Sequence, residues 1–134
     1  MDAGLSQDKQ AVGLRVALRI LSGWNATSSQ ARIILRISAS THQKFLRDTR
    51  GIVRLDIDQL QRLSLVLNIH ATLRILFENI KNTQDFINMP NFNSFFEGRS
   101  PLEVIAQGDI ISLYETYRHI QSLHLDFHPQ PEQT

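Results

Sequence analysis

With 134 residues, 42% of them hydrophobic and no cysteine, the chain can build a compact core and cannot use disulfides or thiolate chemistry. Its net charge of +1 hides an asymmetry: residues 1–50 carry eight Lys or Arg against three Asp, whereas residues 51–134 carry six against ten acidic residues, so a basic half precedes an acidic one. No window offers the roughly 18 uninterrupted apolar residues of a membrane-spanning helix, and Met1–Gln10 lacks the order of a secretory signal, so a cytoplasmic protein without membrane contact is expected.

A helical period starts at Asp8. Leu14, Leu18 and Leu21 recur on one face with Ala11 and Ala17 beside them, and Val12, Val16 and Ile20 form a second stripe. This pattern predicts a helix buried on two sides and stopped at Gly23, with Trp24 folded back into the core. Thr27-Ser28-Ser29-Gln30 is a capping box that launches a short helix through Arg36, with Ala31, Ile34 and Leu35 inward. Ser38 or Ser40 starts the next, with Phe45 and Leu46 inward, and Gly51 closes the region. Two short helices joined by three or four residues match helix-turn-helix geometry. The second would offer Ser40, Thr41, Gln43, Lys44 and Arg47 to DNA, with His42 on the same outward side. The plainer reading of those residues is a helical hairpin with a solvated charged face.

Gly51–Ile57 reads as a linker, and Asp56 or Asp58 as the cap of the following helix. Leu60, Leu63 and Leu67, then Leu73, Leu76 and Ile80, share a face with a slip near Asn68, which predicts a kink or two helices. His70, inside this apolar run, is expected to be a hydrogen-bonded structural histidine. Asn82–Ser94, rich in Asn and broken by Pro90, reads as a loop anchored by Phe86, Phe92, Phe95 and Phe96.

The densest local signals follow. Ser100 and Glu103 form a capping box, Pro101 occupies the first helical position, Gly108 stops the helix and Asp109 caps a last one. In that last helix Ile110, Leu113, Tyr117 and Ile120 point inward, while Tyr114, Arg118 and Gln121 lie on other faces. His124 and His128 have a helical metal-ligand spacing, but Pro129 disfavours helix at His128 and no third ligand is evident, so no metal site is expected. The segment from Asp126 to Thr134 should be extended. There is no nucleophile elbow, phosphate-cradling glycine loop or metalloprotease motif, so neither an enzyme nor a cofactor is expected.

The run Phe96-x-Gly98-x-Ser100-Pro101-Leu102-Glu103, with Gly108 five residues on and an amphipathic closing helix, resembles the Xre/MbcA/ParS-like toxin-binding domain of antitoxins paired with RES-domain toxins. Leu55-Asp56-x-Asp58-Gln59-Leu60-Gln61-Arg62-Leu63 is similar to the middle segment of that family, and Pro90-Asn91 occupies its Pro-Asn position. One departure is Arg36, which stands before Ile37-Ser38 where the family commonly has glycine; if the turn needs positive φ, arginine carries a cost there.

The resemblance implies an all-α fold of seven or eight helices, an Xre-like helix-turn-helix unit (1–54) packed on a toxin-binding unit (55–134). It implies an antitoxin that binds a cognate RES-domain toxin acting on NAD and blocks its active site with the C-terminal segment, as a homo-oligomer within the complex and with possible autorepression at operator DNA. Tyr114, Tyr117, Arg118, His119, Gln121, His124 and Phe127 are the candidate toxin contacts. The rival reading is a DNA-binding regulator whose C-terminal unit dimerises.

Overall fold

The structure is a computed structural model that describes residues 6–47 and 51–127. Among these residues there are seven helices and no strand: α1 (Gln7–Gly23), α2 (Ser28–Leu35), α3 (Ala39–Leu46), α4 (Ile57–Leu76), α5 (Ile80–Asn88), α6 (Pro101–Ile105) and α7 (Ile110–Phe127). The all-helical expectation is met.

The twenty-residue α4 is the axis. It packs most extensively on α7 and next on α1, and its buried residues Leu63, Val66, Ile69 and Leu73 step by three, three and four, one face of an unbroken helix. The expected break near Asn68 is therefore absent. The leucines that suggested it belong to the flanks: Leu60, Leu67 and Leu76 are half-buried and Ile80 is exposed. Helix α1 comes close enough that a Cβ on Gly13 would sit 3.1 Å from Leu63 Cδ2. One hydrophobic cluster joins Leu14, Ala17, Leu21 and Trp24 to Leu63, Val66, Leu113 and Ile120. Burying a side chain of that size fully is worth about 1.5–3 kcal/mol.

Several expectations are corrected. Val12 and Val16 are 56% and 38% exposed, so α1 is buried along one face, and only Ile20 of the second stripe is covered. Leu46 is exposed, whereas His42, expected outside, is buried; its burial, and then the charge of Arg32, push its pKa down. Half of the expected Asn-rich loop is α5, capped by the Asn79 side chain, which accepts from Lys81 N–H at 2.7 Å, and held by buried Thr83 and Ile87. His70 Nδ1 is buried without a hydrogen-bond partner among the described residues, not bonded as expected.

The α2–α3 turn spans Arg36 to Ser38, and Arg36 does adopt the left-handed conformation (φ 57°, ψ 47°) in which glycine would be unstrained. The strain is offset by long-range contacts. Its guanidinium pairs with Asp56 and with Asp58 (2.6 Å), and its carbonyl accepts from Gln59 Nε2 at 2.8 Å. The end of α2 is thus tied to the start of α4, where Asp56 and Gln59 complete a capping box.

Arg36 holds both aspartate carboxyls below their usual range, with the Gln59 backbone N–H assisting at Asp56 and Arg62 at Asp58. A depressed folded pKa adds stability that is complete above the unfolded value of about 3.9 and is lost as pH falls through the folded value. Arg36→Gln should therefore flatten the acid limb of the stability curve, measured as thermal midpoints from about pH 5 downward.

Candidate protein-binding site

The loop before α6 is closed by its own backbone. Gly98 N–H donates to Asn91 O at 2.8 Å and Asn91 N–H to Arg99 O at 3.1 Å, with Glu97 (φ 54°) and Gly98 (φ 86°) making the reversal. Arg99 Nε and Nη2 donate to the carbonyls of Phe96 and Phe95 at 2.8 and 2.9 Å. The reciprocal box of Ser100 and Glu103 is present at 2.8 and 3.1 Å, with Pro101 at the first helical position. Ser112 N–H donates to Asp109 Oδ2 at 2.8 Å, which holds the Asp109 carboxyl below its usual range and starts α7 where the sequence placed it.

Gly108 carries the reversal between α6 and α7 at φ 96°, and a Cβ there would lie 2.7 Å from Ile33 Cγ2. Gly108→Ala combines a strained φ with this clash and should cost roughly 2 kcal/mol, read as a shift in urea midpoint with an unchanged slope.

The sequence reading missed the residue that ties this turn to the rest. Arg62 is only 7% exposed. Its Nη1 donates to the carbonyls of Gly108 (2.7 Å) and Ile34 (3.2 Å), and its Nε pairs with Asp58 at 2.8 Å. One guanidinium from α4 therefore fixes the end of α2 and the start of α7. A charged residue within an otherwise apolar helical face was its only signal.

So positioned, α7 buries Leu113, Thr116 and Ile120 and turns another face outward: Ile111 (70% exposed), Tyr114 (44%), Arg118 and Leu125. The Arg118 guanidinium lies 5.9 Å from the Tyr114 ring centroid. Beside this face runs a groove of about 780 Å³ between α4 and α7, lined by Ile57, Leu60, Leu65, Ile110, Ile111 and Tyr114, with Gln61, Ser64 and Glu115 as its polar members. Ile57, at the start of α4, is 72% exposed.

The candidate contacts do not all share this surface. Tyr114 and Arg118 lie together on it. Tyr117 packs against the core, and His119 stacks on Phe95 with centroids 4.6 Å apart and planes 10° from parallel. Gln121 and His124 are half-buried. Phe127 ends α7, and its side chain lies outside the described residues. The helix continues past Asp126, where an extended chain was expected; His128 and the rest of that segment lie outside the described residues. Ile57, Leu65 and Ile111, which the sequence reading did not single out, form half of the apolar lining. Ile111 gave a signal, since of the adjacent Ile110 and Ile111 only one could face the core.

The DNA candidates lie elsewhere, on α3 and just beyond it. Ser40, Gln43, Lys44 and Arg47 are exposed and Thr41 is half-buried. Ser38, Ser40 and Thr41 link hydroxyls within 3.2 Å in the cap of α3. Lys44 Nζ donates to Ile52 O at 3.1 Å and lies 5.4 Å from the Phe45 ring centroid, with Arg15 at 5.1 Å from the same ring. Lys44 therefore braces the segment after α3, which leaves Gln43 and Arg47 as the outward pair.

No described helix is long and apolar enough to cross a membrane. Among the described residues no group of three or more His, Asp or Glu is placed to hold a metal ion. No family model matches the chain. It is 28% identical over 109 residues to an uncharacterized protein, y4oB, of Sinorhizobium fredii, an alignment that covers 81% of each chain. The likeness runs through most of both chains and carries no activity with it.

Proposed function

We propose that this protein is an antitoxin that binds a cognate RES-domain toxin and blocks the toxin's NAD-consuming site with α7 and the segment that follows it. The observation that carries the reading is the exposed apolar groove between α4 and α7, with Ile57 and Ile111 each about seven-tenths exposed. Apolar surface of this kind, rimmed by polar residues, is what protein interfaces use. The family-like motif from Phe96 to Gly108 supports it, because its turn, the capped α6 and the Gly108 reversal lead directly into α7.

Inhibition by occlusion needs no chemistry from the antitoxin, only a shape that excludes substrate and an interface of about 1,600 Å² in total. Tyr114 and Arg118 are the anchors, an aromatic and an arginine side by side at the end of an apolar groove. Adding the purified chain to such a toxin should abolish NAD consumption at a fixed molar ratio. Undiminished NAD consumption at a large excess would refute the reading.

A second reading, operator binding, is favoured by the three-residue α2–α3 connection and by the outward Gln43 and Arg47. In that reading Gln43 reads a base edge and Arg47 a phosphate. Gln43→Ala should then relax base preference, and Arg47→Ala should weaken binding to all sequences alike and flatten its salt slope by about one unit, measured by footprinting across a salt series.

A further inference from the structure

A second cleft, farther along α4, has no part in either reading. It lies between α1, α4 and α5 and has a volume of about 320 Å³, at the lower end for small-molecule sites. Its walls are braced: Gln84 Nε2 and Asn88 Nδ2 on α5 donate to the carbonyls of Gly23 and Trp24 at the end of α1, each at 2.8 Å. These bonds satisfy helix-terminal acceptors and fix the separation of α1 and α5.

The lining divides by chemistry. Val16, Ile20, Trp24 and Ile80 are apolar, and Val16 and Ile80 remain 38% and 67% exposed, an uncovered hydrophobic rim. Arg19 and Arg74 border the same cleft from different helices, and neither is ion-paired with a described residue. Thr83 also lines it; the residue is 4% exposed and its hydroxyl has no hydrogen-bond partner among the described residues. The His70 ring completes the lining. Burial, and then the Arg74 charge, lower its pKa. Its Nδ1 is buried and has no hydrogen-bond partner among the described residues.

We infer that this cleft binds a small amphiphilic anion, with a carboxylate or phosphate head between Arg19 and Arg74 and a hydrocarbon body on Val16, Ile20, Trp24 and Ile80. Guanidinium groups match both oxyanions through paired N–H donors, and the anion offsets two cations that have no carboxylate partner among the described residues. The apolar rim selects against a bare ion. The inference does not depend on toxin binding and survives or fails separately.

Trp24 is the only tryptophan, so its fluorescence reports on the cleft directly. The full chain is titrated with octanoate, octyl phosphate, octanol and inorganic phosphate. A saturable change is expected with octanoate or octyl phosphate at millimolar concentration or below, the tighter of the two assigning the head. Octanol and inorganic phosphate should each bind at least about tenfold more weakly, the equivalent of losing one charge-assisted hydrogen bond or the apolar contact. Arg19→Gln with Arg74→Gln, both at exposed positions, should keep the helical circular dichroism and weaken octanoate by a similar factor. The proposal is overturned by equal binding of octanol and octanoate, by unchanged affinity in the double variant, or by no saturable change with either amphiphile.

Discussion

Arg62→Ala should lower the thermal midpoint by about 10 °C, corresponding to about 3 kcal/mol in a domain of this size. The side chain is buried and its donors serve three segments: Asp58 within α4, Ile34 at the end of α2 and Gly108 before α7. Truncation leaves two carbonyls without their donor and a cavity where the stem lay, and an orphaned buried acceptor alone costs about 1–3 kcal/mol. Asp58 keeps Arg36 as a partner, which bounds the loss. Arg62→Met, which retains the apolar volume, should fall between the two. Paired thermal and urea melts decide it, and a shift below about 3 °C for Arg62→Ala would mean that these contacts contribute little.

The second large effect concerns binding. Ile111→Asp with Tyr114→Asp should weaken toxin binding by at least about a hundredfold, the loss expected when central interface residues are removed. Both side chains are exposed, so the fold should be unaffected within about 0.5 kcal/mol per site. Tyr117 and His119 make poor probes of binding, because the core and the Phe95 stack respectively hold them, and replacing either confounds contact with stability. Isothermal titration of the purified pair gives the affinity, and circular dichroism of the variant controls for folding.

The parts of this fold that sequence made legible are those written in local geometry. Thr27–Gln30, Ser100–Glu103, Pro101 and Gly108 each act within one helical turn, and each stands where its residue type dictates. Arg36 belongs with them in part: the sequence raised a left-handed turn there only as a condition, and the aspartates that offset its strain lie twenty and twenty-two residues away. What stayed hidden depends on which helix packs where. Periodicity alone could not tell the buried Leu63–Val66–Ile69–Leu73 face from the leucines flanking it, because both are apolar. Asn-rich composition masked α5, whose buried residues are only Thr83 and Ile87. His42 was assigned to the wet face by its polarity, but the contact surface of α3 covers it. At the candidate site, Tyr114 and Arg118 were legible as polar and aromatic residues on a terminal helix. The groove beside them was not, since it exists only where α4 and α7 meet.

The central question is whether α7 and the groove beside it neutralise a toxin. The direct measurement is cellular NAD during co-expression of the RES-domain toxin with three forms of this chain: the full sequence, the Ile111→Asp/Tyr114→Asp variant, and a chain ending at Phe127. NAD should be maintained with the full sequence and collapse with the folded double variant. The shortened chain, which keeps the groove but lacks the segment after α7, should protect in part. NAD maintained equally by the double variant and the parent, at matched protein levels, would rule out neutralisation through this groove.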